Sequence, residues 1–166
     1  MPDPASARFP LQIRFGDIDA YGHVNNATYF SYFEHGRVRL QQLPADPARP
    51  DGPTIRDLAG RENFTLVAGQ EIEYLLPLTL RPEPVYIDVW VTRVGGSSFR
   101  TGYSLAGPDG SPVYALGAAT MVLVDRASGH PVPLPDAYRA ALQRFAGPEV
   151  PFRRVTQPIP DRQQEA

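Results

Sequence analysis

One long helical periodicity, met early and not repeated at that length, constrains this chain more than any other feature. In NATYFSYFEHGRVRLQQL, residues 26–43, the side chains Tyr29, Phe33, Gly36, Leu40 and Leu43 recur at spacings of 4, 3, 4 and 3. Those spacings place them on one face of an α-helix. Phe30, Tyr32 and Val38 widen the apolar surface beyond one stripe, so the helix is expected to be enclosed on more than one side. Asn25 or Asn26 is suited to cap its start. Pro44, Pro47, Pro50 and Pro53 end it in a loop. Nearly everything after that loop alternates with the period of two that belongs to strands.

LQIRFGD, residues 11–17, sets Leu11, Ile13 and Phe15 against Gln12, Arg14 and Gly16, and predicts a half-buried strand before the helix. TIRDLAG predicts a short helical turn capped by Thr54 and closed by Gly60. Strands are expected around residues 66–75, then in VYIDVWVTRV with Val85, Ile87, Val89 and Val91 on one face. SFRTGYSL follows with Phe99, Thr101, Tyr103 and Leu105 together, and a long apolar strand begins at PVYALG after the turn GPDG at 107–110. PDAYRAALQRFAG predicts a short amphipathic C-terminal helix. The order β-α-β-β-β-β implies an α+β fold with one antiparallel sheet and one buried helix. It fits a single domain over residues 1–146, followed at 147–166 by a Pro-, Gln- and Arg-rich tail expected to be loosely held.

Composition removes several chemistries. All 16 positive residues are arginine, so no lysine Schiff base or lysine nucleophile is available. There is no cysteine, which excludes disulfides, thiolate nucleophiles and Cys-rich zinc sites. A net charge of −2 gives no basic footprint for nucleic acid. MPDPASARFP has no apolar core of a secretory signal, and the apolar stretch from Val113 to Val124 is too short to span a bilayer. No membrane partner is therefore expected, and a cytoplasmic location is the default.

The chemistry concentrates in GDIDAYGHVNNATYF, residues 16–30, directly before the long helix. A helix start offers unpaired N–H donors and partial positive charge, which can stabilise an oxyanion. A carboxylate beside it can serve acyl transfer as base or nucleophile. The extended motif FGDIDAYGHVNNATYFSYFEHGR resembles the signature of hotdog-fold thioesterases of the 4-hydroxybenzoyl-CoA thioesterase superfamily, and the later pattern, including RVGGSSF, fits along most of residues 8–125. The resemblance implies a hotdog fold, an antiparallel β-sheet wrapped around one long central helix. It implies an acyl-CoA thioesterase that releases a free carboxylic acid and coenzyme A without metal or cofactor. In the family the second aspartate of the pair is the catalytic carboxylate, which here is Asp19. The N–H about seven residues later polarises the thioester carbonyl, which here is that of Asn26. His23 joins them as a catalytic candidate, with Asn25 and Tyr29 as candidate substrate contacts.

The family's dimers further imply a homodimer or homotetramer with the site between subunits, Asn26 of one chain near the GGSSF turn of its partner. Coenzyme phosphates need cations, so Arg93 and Arg100, with Ser97 and Ser98 in the turn between them, are the expected substrate-binding group. Asp17 is assigned to a turn or cap, Glu34 to an ion pair with Arg37 or Arg39, and His35 and His130 to structural or solvated roles. An enoyl-CoA hydratase would place Asp and His five residues apart, whereas His23 follows Asp19 by four and Asp17 by six. Plant acyl-carrier-protein thioesterases carry Asn where this chain has Tyr21. A non-catalytic acyl-CoA-binding or regulatory protein would not need a carboxylate at position 19. A metal site from Asp17, Asp19 and His23 lacks a supporting cluster, and no Gly-x-Ser-x-Gly motif is present.

Overall fold

A computed structural model describes residues 6–153. The chain runs through β1 (Ala7–Leu11), a 3-10 turn (Phe15–Asp17), α1 (Thr28–Gln41), a second 3-10 turn (Arg56–Ala59), β2 (Asn63–Tyr74), β3 (Val85–Val94), β4 (Ser98–Ala106), β5 (Val113–Asp125) and α2 (Asp136–Gln143). The five strands form one antiparallel sheet in the order β1-β3-β4-β5-β2. α1 lies on one face of it. The expected hotdog arrangement is what the chain adopts.

Alternation along the strands sorts their side chains between the two faces. Val85, Ile87, Val89 and Val91 of β3 join Phe99, Tyr103 and Leu105 of β4 and Ala115, Ala119, Met121 and Leu123 of β5 in the core beneath α1. From the helix, Tyr29, Phe33 and Leu40 enter the same cluster, with Phe33 stacked on Tyr103 at 4.9 Å between ring centroids. Two glycines set how close the helix can come. A Cβ on Gly36 would sit 2.8 Å from the Ile87 Cγ2, and one on Gly117 would sit 2.4 Å from the Phe33 ring. Both positions are held at glycine by contact distance.

The structure corrects the sequence reading at several points. The first strand lies at 7–11 rather than 11–17, and it contains Pro10. Its place at the sheet edge explains the tolerance, since an edge residue needs no ladder N–H on its outer side. Beyond it, the Asp17 carboxylate accepts the Arg14 N–H at 2.8 Å and the Asp17 N–H reaches the Arg14 carbonyl at 3.0 Å. These bonds turn the chain out of strand geometry and leave Phe15 84% exposed. At the helix start neither Asn25 nor Asn26 is the N-cap residue. Ala27 holds that position, and Asn25 Oδ1 takes the Ala27 N–H at 2.9 Å one step earlier. Of the residues expected to enclose the helix further, Tyr32 is buried, while Phe30 and Val38 remain 38% and 45% exposed because the sheet covers one side only.

The segment from residue 147 also departs from a loose tail as far as it is described. β1 pairs with β3 only from Val85 to Val89, which leaves the next stretch of β3 open. Val91 N–H donates to Phe145 O and Gly147 N–H to Val91 O, closing that gap. The chain then crosses the outer sheet face, where Trp90, Ala118 and Val150 form a second small cluster and Trp90 Nε1 donates to Pro148 O at 2.7 Å. Residues 154–166 lie outside the described residues.

Candidate active site

Between the first 3-10 turn and α1 the chain makes a miniature hairpin. Ile18 and Val24 form an antiparallel bridge, Asp19 N–H donates to His23 O at 2.8 Å, and Gly22 N–H returns to Asp19 O at 3.1 Å. Gly22 has φ +81°, the left-handed backbone that glycine takes without steric cost. Asp19 Oδ1 accepts the Tyr21 N–H at 2.8 Å and the His23 N–H at 3.4 Å. One carboxylate oxygen thus shapes the hairpin; among the described residues no donor is assigned to the other.

The hairpin is fastened on two sides. Val24 N–H donates to Leu78 O at 2.7 Å, joining it to the chain that leaves β2. Asn25 N–H donates to Asp17 O at 2.8 Å, and the Tyr32 hydroxyl donates to Asp17 Oδ2 at 2.7 Å. Asp17 is therefore a brace between the 3-10 turn and α1, as its turn assignment anticipated. Burial and the carboxylate of Asp17 hold the Tyr32 phenol well above its ordinary range, so Tyr32 remains a donor to that brace.

Asp19, Tyr21, His23, Val24, Asn26, Tyr29, Tyr74 and residues 75–78 line one open pocket of about 520 Å³. The structure thus brings together Asp19, His23, Asn26 and Tyr29; Asn25 stands beside them as a turn-forming residue. Within the turn that starts α1, Asn25 Oδ1 takes the Ala27 N–H and Asn25 O takes the Thr28 N–H. Among the described residues no acceptor takes the Asn26 N–H. An unpaired donor at a helix start, in a pocket that also holds a carboxylate, is what stabilisation of a developing oxyanion requires. The Tyr29 phenol is pushed up to about 12, first by burial, then by the neighbouring Tyr74 phenol.

Arg93, Ser98 and Arg100 line a separate hollow of about 380 Å³ with Gly95, Gly96, Phe99 and Thr120. Its lining shares no residue with the Asp19 pocket, so one chain alone does not unite the two groups. Arg139 donates to the carbonyls of Gly95 and Gly96, which ties the hairpin to α2. Arg100 is already engaged by Glu71, by Glu149 at 3.8 Å and by Thr120 Oγ1 at 3.3 Å. Arg93 makes no ion pair among the described residues. Ser97 does not line the hollow; its carbonyl accepts the Leu123 N–H at 2.9 Å.

A family model described as the thioesterase-like superfamily matches residues 13–142, most of the chain and all of the site hairpin. The chain belongs to this superfamily. It is a thioester hydrolase with the hotdog fold. Over 136 residues this thioesterase is 29% identical to the uncharacterised protein YsmA of Bacillus subtilis (strain 168), covering 80% of this chain and 82% of that one. A thioesterase from Thermus thermophilus, solved with coenzyme A and Zn, is 30% identical and superposes with a TM-score of 0.65, over 85% of this chain and 94% of the other. The PA5185 protein of Pseudomonas aeruginosa strain PAO1 is 28% identical with a TM-score of 0.67, over 84% and 91% of the two chains.

Among the described residues of this thioesterase, no group of three or more His, Cys, Asp or Glu side chains could hold a metal ion. No helix among them is long and apolar enough to cross a membrane. Glu34 pairs with Arg37 at 3.1 Å, the expected ion pair. Sequence reasoning missed the far wall of the pocket, Tyr74 and residues 75–78. Their signal was EYLLPL at the end of a strand, in which Pro77 stops the ladder and leaves apolar side chains with no strand partner.

Proposed function

We propose that this thioesterase hydrolyses acyl-CoA, with Asp19 as base or nucleophile and the Asn26 N–H as oxyanion donor. The observation that carries the reading is that Asn26, whose N–H has no acceptor among the described residues, lines one pocket with Asp19. The thioester carbonyl accepts from Asn26 while Asp19 either attacks its carbon or takes a proton from the water that does. The tetrahedral intermediate then expels the coenzyme thiolate. Attack by Asp19 would leave a mixed anhydride for water to cleave; general-base action gives the acid directly. Both routes end in a free carboxylic acid and coenzyme A. His23 lines the same pocket as Asp19 and is assigned contact with the reacting group. The apolar wall of Val24, Tyr29 and residues 75–78 suits the acyl group.

Coenzyme A enters this reading because the Thermus relative was solved with it. Arg93, Ser98 and Arg100, whose hollow shares no lining residue with the Asp19 pocket, are assigned to the coenzyme in a partner subunit's site. That arrangement calls for a homodimer, alone or paired into a tetramer. A second reading, an acyl-CoA binder without turnover, draws on the two N–H bonds to Asp19 Oδ1, which a purely structural aspartate would also make.

Thiol release from a panel of acyl-CoA thioesters separates the two. Asn is nearly isosteric with Asp and can keep the turn bonds, but it is neither base nor carboxylate nucleophile. Asp19→Asn should leave folding intact and lower kcat by about 10²–10⁴. Full activity in the folded variant removes Asp19 from the mechanism, and a wild type inert to every thioester favours the binder.

A further inference from the structure

The turn that leads into α1 carries the N–H to which the proposed reaction assigns the oxyanion. Ala27, at the N-cap, has no side chain with which to cap. The Asn26 carbonyl, one residue before the N-cap, takes no helical bond among the described residues, the Phe30 N–H donating to Ala27 O at 3.2 Å. The bond that this carbonyl does accept comes from the sheet. The Tyr74 hydroxyl, at the end of β2, donates to Asn26 O at 2.8 Å across 48 residues of sequence. Its ring meets Tyr29 edge to face, with centroids 5.1 Å apart and planes at 84°.

We infer that Tyr74 is a positioning residue of the oxyanion turn: by holding Asn26 O it fixes the Asn26–Ala27 peptide from the sheet, which limits rotation about the Asn26 Cα of the preceding peptide, whose N–H is the proposed oxyanion donor and whose carbonyl, Asn25 O, takes the Thr28 N–H. This rests on the proposed role of the Asn26 N–H. A preorganised donor lowers the barrier because no reorientation is needed as negative charge develops. A turn held only by the chain on either side would sample other peptide orientations. Tyr74 suits the task because β5 fixes its backbone, Tyr74 pairing with Ala115, while Tyr29 fixes its ring. Burial raises the Tyr74 phenol above its ordinary value, so the hydroxyl keeps its proton, and with it the bond, across the neutral range.

Tyr74→Phe removes the hydroxyl and keeps the ring contact with Tyr29. With the best acyl-CoA found for the wild type, kcat should fall about 3- to 10-fold, the usual worth of one neutral hydrogen bond. KM should stay within about twofold, since the interaction matters mainly in the transition state. Two probes isolate the cause. A CoA-linked trifluoromethyl ketone, bound as its tetrahedral form, should lose affinity in step with kcat. An S-alkyl CoA thioether, which has no carbonyl on the carbon bound to sulfur, should bind both proteins alike. Unchanged kcat in Tyr74→Phe overturns the inference and leaves the proposed reaction standing. Equal loss of affinity for both probes, as a general collapse of the pocket would cause, also overturns it. A wild type that hydrolyses no thioester defeats the underlying reading instead, and this is visible before any variant is made.

Discussion

Two aspartates two residues apart end in different work, and the difference lies in what each side chain is bonded to. Asp17 Oδ2 is shared between the Arg14 N–H and the Tyr32 hydroxyl, which commits it to holding the chain. Asp19 spends Oδ1 on its own hairpin and lines the pocket. The two arginines divide similarly. Arg100 is drawn to Glu71 and Glu149, so its charge is partly spent on the sheet and on the segment packed against it. Arg93 sits opposite it in the β3–β4 register without an ion pair among the described residues. Arg93→Ala should therefore raise KM for acyl-CoA by more than it lowers kcat, as the loss of a contact made equally in ground and transition states would. Initial rates over a range of acyl-CoA concentrations measure it, and an unchanged KM takes Arg93 out of the coenzyme site. Arg100→Ala should add a loss of thermal stability, because Glu71 and Glu149 lose their partner.

Among the elements, α1 is the one on which the site depends, because the turn that leads into it carries the candidate oxyanion donor. Its height above the sheet is set in mid-helix. A Cβ at position 36 would meet the Cγ2 atoms of Ile87 at 2.8 Å and Val89 at 2.9 Å, both on a strand fixed on either side by neighbouring strands. Neither side chain can retreat without disturbing the core. Gly36→Ala should therefore destabilise the protein by about 1–3 kcal/mol, although alanine favours helices. Chemical denaturation gives the value, and a stabilised variant would show that the helix can lift freely. The same periodicity that revealed this helix in the sequence also picked out Gly36 as a member of its buried face. It did not reveal the helix start, because Asn25 Oδ1 accepts the N–H of Ala27 itself, the N-cap residue, and leaves the first turn without a side-chain cap.

At the level of the whole molecule the sheet is unequally finished. β3 is closed by β1 and then by the segment around Ala146, and the outer face carries Trp90 and Val150 in contact. β2, 12 residues long, pairs with β5 on one side only, and it exposes Leu66 and Val67. A long apolar edge left open invites pairing with another chain. Together with the separation of the Asp19 and Arg93 pockets within one chain, this leads to the expectation of a homodimer, alone or doubled. Light scattering at micromolar concentration should give a mass of two or four chains. A monomer with full thioesterase activity would overturn the shared-site arrangement.

The sequence by itself determined the order of elements, the buried face of α1 and the strand faces of β3 and β4, and its resemblance to the thioesterase family implied the meeting of Asp19 with Asn26. All of these depend on residues close along the chain, where periodicity and turn chemistry act directly. Seven residues and one hairpin suffice to bring a carboxylate to a helix start. Only the tertiary structure decided that Tyr74 would reach Asn26, that Pro10 would lie within an edge strand, and that the chain beyond α2 would complete β3. Each is a contact between segments distant in sequence, whose register is chosen by packing of the common core and leaves no local pattern to read. The separate pockets of Arg93 and Asp19 in a single chain agree with the between-subunit site that the family resemblance implied, which charge and spacing alone do not encode.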